Sequence, residues 1–294
     1  MTFARPDHIG DLDTLPRMPA WVTSTRAETL EDVAFLSGAA LNHLHLVLGH
    51  EAVPHALLRG RLALRAAEAC VAFSGRPERA GELRDAMHLL RPDDLPGPAG
   101  ETYLTWRRAA ERPVSIKALG RALPTLEAGQ IAAWLDAGQG APIRRAALVL
   151  EAVLTEAPRA DVAALILADA ALAQALGWDH LVPLLAPGLK RADLRKRGDD
   201  LRLACHRTVA ASAVESARLA ADLARRAAHL KAVAPKLRAK EAGAAVEMFL
   251  TRDAVAPSAL PLPDRAARRL CDRLVALGAV RELTDRDTFR LYGM

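Results

Sequence analysis

Aromatic residues are scarce in this chain: 5 Phe, 4 Trp and 2 Tyr among 294 residues, or 4%. Yet 51% of the residues are hydrophobic, so a core must be assembled from Ala, Leu and Val. Ala and Leu are strong helix formers, and the aromatic and β-branched residues that favour strands are thin. A large sheet is thereby excluded. Only three cysteines occur, Cys70, Cys205 and Cys271, with no pair spacing and each inside a helical apolar pattern. They read as small buried hydrophobes of a reducing compartment, neither a disulfide framework nor a zinc site. No run reaches the ~18 apolar residues of a membrane span. Residues 1–20 carry Asp, Arg and Pro in place of an apolar signal core. The expected address is the cytoplasm, with no membrane partner. There is no GxxxxGK[ST] phosphate loop, no GxGxxG after a strand, no HExxH and no GxSxG; no cofactor is expected.

Charge is close to balanced, at +5, but unevenly placed. The last 64 residues hold 12 Lys and Arg against 8 Asp and Glu, while the preceding 230 hold 28 against 27. A local positive excess attracts polyanions.

Apolar spacing of 3.6 dominates the chain. Residues 1–26, with Pro6, Gly10, Pro16 and Pro19, read as a flexible arm. An all-helical domain follows over 27–234. Its helices are expected at Thr29–Leu48, Pro54–Phe73, Glu78–Leu90 and Glu101–Glu111, then near 115–123, 125–137 and 142–156, at Ala160–Leu176, and as one long amphipathic helix from Asp199 to Val233. Between them Arg91–Gly100 (RPDDLPGPAG), with three prolines and two glycines, is expected to be a rigid loop. Residues 235–294 read as a separate module. Arg238–Thr251 is helical, Ser258–Leu260 is a short turn, and Arg265–Leu277 is a helix capped by Asp264 and ended by Gly278. The period then drops to 2: Val280, Leu283, Phe289 and Leu291 alternate with polar residues around an Asp285-Arg286-Asp287 turn. Helix, short helix, helix, β-hairpin is the order of a winged helix. The fold class is thus mainly α: a multi-helical bundle followed by a small winged-helix-like module with one β-hairpin.

In helix-turn-helix proteins the second helix of the motif enters the major groove. Here that helix carries Arg265, Arg268, Arg269 and Arg273, with Arg286 and Arg290 on the hairpin. These six are the candidate nucleic-acid-binding residues, since arginine grips phosphate or pairs with guanine. Asp264, Asp272, Asp285 and Asp287 interrupt that surface. Weaker catalytic candidates are Arg84, Asp85, His88 and Arg91, because Arg84, His88 and Arg91 share a helix face beside Asp93 and Asp94. Such a set more often anchors a loop. His43, His45, His50 and His55 point to different faces or lie turns apart, so no metal site is expected. Arg61, Arg65 and Glu68 have the spacing of helix side-chain pairs. The leading function is a DNA-binding or regulatory protein acting through the C-terminal module. The alternatives are an enzyme centred on Arg84–Arg91, or an assembly module that self-associates through the 199–233 helix. A non-enzymatic role is favoured.

Three segments resemble one family: AETLEDVAFLSGAALNHLHLVL (27–48), LALRAAEACVAFSGRPERAGELRDAMHLLRPDDLPGPAG (62–100) and LPDRAARRLCDRLVALGAVRELTDRDTFRLYGM (262–294). Together they resemble the alphaproteobacterial domain of unknown function 1403, a resemblance that spans nearly the whole chain and implies no particular activity. The last segment also resembles winged helices that follow Fic-type domains. The HPFxxGNGRxxR loop of Fic enzymes has no counterpart here, because His88-Leu89-Leu90-Arg91 lacks the glycine-rich anion cradle.

Overall fold

The computed structural model describes residues 15–25, 27, 29–75, 78–90, 93–237, 241–284 and 289–294. Among them twelve α-helices are present: α1 (Ala20–Ser24), α2 (Leu30–Leu48), α3 (His55–Phe73), α4 (Ala80–Leu89), α5 (Gly97–Glu111), α6 (Ile116–Ala122), α7 (Ala128–Asp136), α8 (Pro142–Glu156), α9 (Asp161–Ala175), α10 (Gly198–Val233), α11 (Ala242–Thr251) and α12 (Asp264–Ala276). Two short strands, β1 (Arg281–Glu282) and β2 (Tyr292–Gly293), complete the list. No helix of the described residues is long and apolar enough to cross a membrane.

The innermost element is α9. Every residue from Ala164 to Ala173 is buried, as its almost uncharged sequence requires. It packs against α8, while α10 lies along α2 and α8, and α3 pairs with α5. The apolar face of α10, including Val209, Val214, Leu223 and Leu230, is buried in these contacts within the chain. The polar start of α2 is a capping box: Thr29 Oγ1 accepts from Asp32 N–H at 3.1 Å, and Thr29 N–H donates to Asp32 Oδ2 at 3.0 Å.

One buried segment is not helical. Leu181, Val182, Leu184, Leu185, Ala186 and Leu189 are all buried, so their backbone must find partners away from water. Asp169, fully enclosed on α9, accepts the N–H groups of Leu184 and Leu185 at 3.3 and 3.2 Å. Burial drives its carboxyl well above the usual range, against the lowering effect of those two hydrogen bonds. The three cysteines are buried and unpaired, and burial pushes each thiol up to about 12.

Several boundaries differ from expectation. Within the stretch read as an arm, Ala20–Ser24 form α1: Val22 is buried, Leu15 and Met18 pack against the core, and Trp21 stacks on Phe35 at 5.5 Å as an exposed pair. Helix α5 starts at Gly97, inside the expected proline-rich loop, because Pro98 falls within the first turn, where a missing N–H is harmless. Residues 91 and 92 of that loop lie outside the described residues.

The last sixty residues run α11, a one-residue bridge, a short turn (Pro257–Ala259), α12, β1 and β2. Val255 and Tyr292 exchange both backbone hydrogen bonds, at 2.8 and 2.9 Å. Strand β2 then pairs antiparallel with β1, Arg281 opposite Gly293 and Glu282 opposite Tyr292. The core is continuous from Val22 to Met294, so this C-terminal part shares its apolar interior with the rest of the chain.

Candidate nucleic-acid interface and buried polar sites

Helix α12 is placed by its two ends. Pro263 holds the N-cap position, with Asp264 the first helical residue rather than the cap. At the other end Gly278 adopts φ +66°, a conformation that suits glycine. Its N–H bonds to Val275 O at 2.9 Å, and Ala279 N–H to Leu274 O at 2.9 Å, the paired closure of a Schellman motif. The inner face is Ala267, Leu270, Cys271 and Leu274, all buried.

The outer face splits into two rows. Arg265, Arg269 and Arg273 follow each other at i, i+4 and i+8, one guanidinium per turn, and all three are exposed. No ion pair holds any of them among the described residues. Asp264, Arg268 and Asp272 form the neighbouring row with the same spacing. That row lines a groove of about 590 Å³ with Phe289, Arg290 and Tyr292, so Arg268 sits between two carboxylates. Arg290 is exposed but engaged: it pairs with Glu282 at 3.6 Å and donates to the Tyr292 hydroxyl. The six candidate arginines therefore divide into a free row (265, 269, 273) and a charge-balanced pair (268, 290). Arg286, with the Asp285–Asp287 turn, lies outside the described residues.

The catalytic candidates are drawn into a different structure. Arg84 on α4 pairs with the buried Asp253, just beyond α11, and Arg61 on α3 grips the same carboxylate. Side-chain exposure is 12%, 11% and 7% for Arg61, Arg84 and Asp253. Arg61 Nη2 also donates to the backbone oxygens of Asp253 (3.3 Å) and Met294 (2.9 Å). Gly293 makes room for this clamp: a Cβ there would stand 2.6 Å from Asp253 O. Arg61 is thus no partner in a helix pair with Arg65 and Glu68 but the tie between α3 and the C-terminal segment. His88 lines a cavity of about 520 Å³ with Tyr103, Arg107 and Asp253. Asp85 is half-buried, and Arg91 lies outside the described residues. Asp253, 169 positions from Arg84, was not singled out from the sequence; its one signal is an acid heading the apolar run Ala254-Val255-Ala256.

The histidines scatter as their spacing implies, with one exception. His43 is buried, and burial lowers its pKa. His50 Nδ1 accepts Ala52 N–H at 3.2 Å. His45 and His55, however, line one cavity of about 430 Å³ with His180, Arg59 and Trp178. Gly177 (φ +68°) closes α9 with a second Schellman motif: Trp178 N–H bonds to Ala173 O at 2.9 Å and Gly177 N–H to Gln174 O at 3.2 Å. Trp178 Nε1–H then donates to His45 Nδ1 at 2.9 Å. Val114 N–H reaches Asp179 O at 2.7 Å, and a bridge from Pro113 to His180 fixes the wall. Among the described residues no group of three or more His, Cys, Asp or Glu could hold a metal ion.

Compared with known families, residues 6–294 match the model described as protein of unknown function (DUF1403). Among curated proteins none matches the chain.

Proposed function

Because the chain belongs to that family of unknown function, its work must be read from its own surfaces, and we propose that it binds duplex DNA through α12 of a winged-helix-like C-terminal module. One observation carries the reading: Arg265, Arg269 and Arg273 form an uninterrupted, exposed row, unpaired among the described residues, on the outer face of a helix whose inner face is buried. The order α11, bridge strand, short turn, α12, two-stranded ribbon supports it, because in that arrangement the helix before the ribbon is the one presented to the major groove. The row Asp264-Arg268-Asp272 would then face the ribbon, its carboxylates balanced by Arg268 and Arg290 and kept off the phosphates. Arg265, in the first turn of α12, is the residue best placed to reach a base edge. Arg269 and Arg273 would grip backbone phosphate.

The test is fluorescence anisotropy of a labelled random-sequence duplex against the full chain, repeated across a series of salt concentrations. Each phosphate contact contributes about −0.9 to the slope of log affinity on log salt. Replacing Arg265, Arg269 and Arg273 together by Ala should weaken binding and flatten that slope by about two to three units. Arg268→Ala should change it by less than any one of the three. A wild-type chain that leaves the duplex free, or a triple variant that binds with unchanged slope, refutes the assignment.

A further inference from the structure

The cavity enclosed by α2, α3 and the Gly177–Val182 segment contains a chemical combination that the arginine row of α12 does not explain. Arg59, half-buried on α3, keeps its Nε–H enclosed without a hydrogen-bond partner. Glu111 contributes an opposing field, but no ion pair joins the two among the described residues. A guanidinium has donors and no acceptor, so Arg59 lacks an acceptor, and an anion suits its charge.

His55 and His180 line the same space as Arg59. Burial and the nearby positive charge of Arg59 lower both, against the His50 backbone oxygen that takes the His55 N–H and against Asp179 beside His180; a neutral His180 keeps one N–H to give. His45 has its Nδ1 occupied by Trp178 Nε1–H, so its remaining nitrogen is also a donor. Asp179, an exposed residue, lines the rim beside His180; the rest of the wall is apolar, from Leu58, Leu62 and Val182 together with the Trp178 ring.

Two ligand classes fail on this set. A metal cation finds no group of three or more His, Cys, Asp or Glu placed to hold it among the described residues, and Arg59 repels it. Inorganic phosphate carries more charge than one guanidinium balances, and it leaves the leucine and tryptophan walls uncovered. The volume of about 430 Å³ lies within the range of small-molecule sites, which are mostly apolar with a few fixed polar groups.

We propose that this cavity is a binding site for a small monocarboxylate with an aromatic or branched aliphatic body, its carboxylate on Arg59 and His180 and its body against Trp178, Leu58 and Val182. The assignment owes nothing to the α12 reading, and either can fail alone.

Calorimetric titration of the full chain with benzoate, phenylacetate and isovalerate tests it, with benzamide and inorganic phosphate as comparisons. At least one carboxylate should saturate at one site. Its neutral counterpart benzamide should bind at least about tenfold more weakly, the loss of a charge-assisted hydrogen bond. NMR signals of the His55 and His180 ring C–H groups should shift on saturation. Arg59→Met, which keeps the apolar stem, should cost about tenfold or more in affinity, and His180→Gln a smaller factor. Three results overturn the proposal: none of the carboxylates saturates in the millimolar range, benzamide or phosphate binds as well as they do, or the ring signals of both histidines stay fixed while one binds. The comparison of benzoate with benzamide uses the unmodified chain, so it decides the matter even if Arg59→Met does not fold.

Discussion

Arg61 and Arg84 converge on one buried carboxylate, while Arg265, Arg269 and Arg273 stand apart in water on a single helix. The residue type is the same and the surroundings are opposite. In the first region the guanidinium groups are consumed by the fold: they satisfy Asp253 and the backbone oxygens of Asp253 and Met294. In the second, the fold is closed by Ala267, Leu270, Cys271 and Leu274, and no ion pair among the described residues ties the three arginines to it. Arginine that folding does not use is where a partner can be met, and the two regions can be told apart by what their removal does.

The largest effect belongs to the clamp. Arg61→Ala leaves Asp253 charged and enclosed with one partner fewer. Breaking a buried ion pair from one side costs about 3–5 kcal/mol, so the melting temperature should drop steeply. Arg61→Ala combined with Asp253→Ala should cost less than the sum of the two single changes, because the orphaned charge is gone. Additive losses would mean that the three groups do not act as a unit, and the contrast with α12 would lose its buried half.

Asp169 gives the next effect. Asp169→Ala strips two enclosed N–H groups of their acceptor, at about 1–3 kcal/mol for an unsatisfied buried group. The sign with pH is fixed by the direction of its shift. Its pKa is raised in the folded state, so the stability it confers is fully present below the unfolded carboxyl pKa and is lost as pH rises through the folded one. The cost of Asp169→Ala should therefore be larger in mild acid than at alkaline pH, measured by denaturant unfolding across the range. A cost that grows with pH would show that its two hydrogen bonds outweigh the burial.

Smaller still is Thr29→Ala. It removes one half of the capping box and should cost about 1 kcal/mol, read as a modest fall in melting temperature.

The sequence spelled out the local parts of this molecule and was silent on the distant ones. The helical period placed α8, α9 and α10 within a residue or two, and Gly278 marked the end of α12, because a glycine at that position and a 3.6 spacing are written in neighbouring residues. The clamp joins Arg61 to Asp253 across 192 positions, and nothing near either residue signals the other. The same holds for Arg59, His55 and His180: the first two are neighbours on α3, but His180 arrives from a segment that in sequence reads as glycine and proline punctuation. Even on α12, where all four arginines were singled out, their division into a free row and a balanced one needed the groove beside the ribbon to be seen.

The smallest effect sharpens the comparison most. Replacing Arg265, Arg269 and Arg273 together by Ala should leave thermal stability unchanged or slightly raised. Arginine and alanine differ little in helix propensity. Like charges at i, i+4 oppose each other by about 0.2–0.5 kcal/mol per pair, and the row contains two such pairs. No described carboxylate is paired with these arginines, so none is orphaned by the change. A triple variant that melts well below the wild type would show that the row is bound into the fold after all, and the distinction between the two sets of arginines would end there. One that melts at or above it leaves a row of self-repelling charges that folding does not need, and a surface of that kind persists through what it attracts.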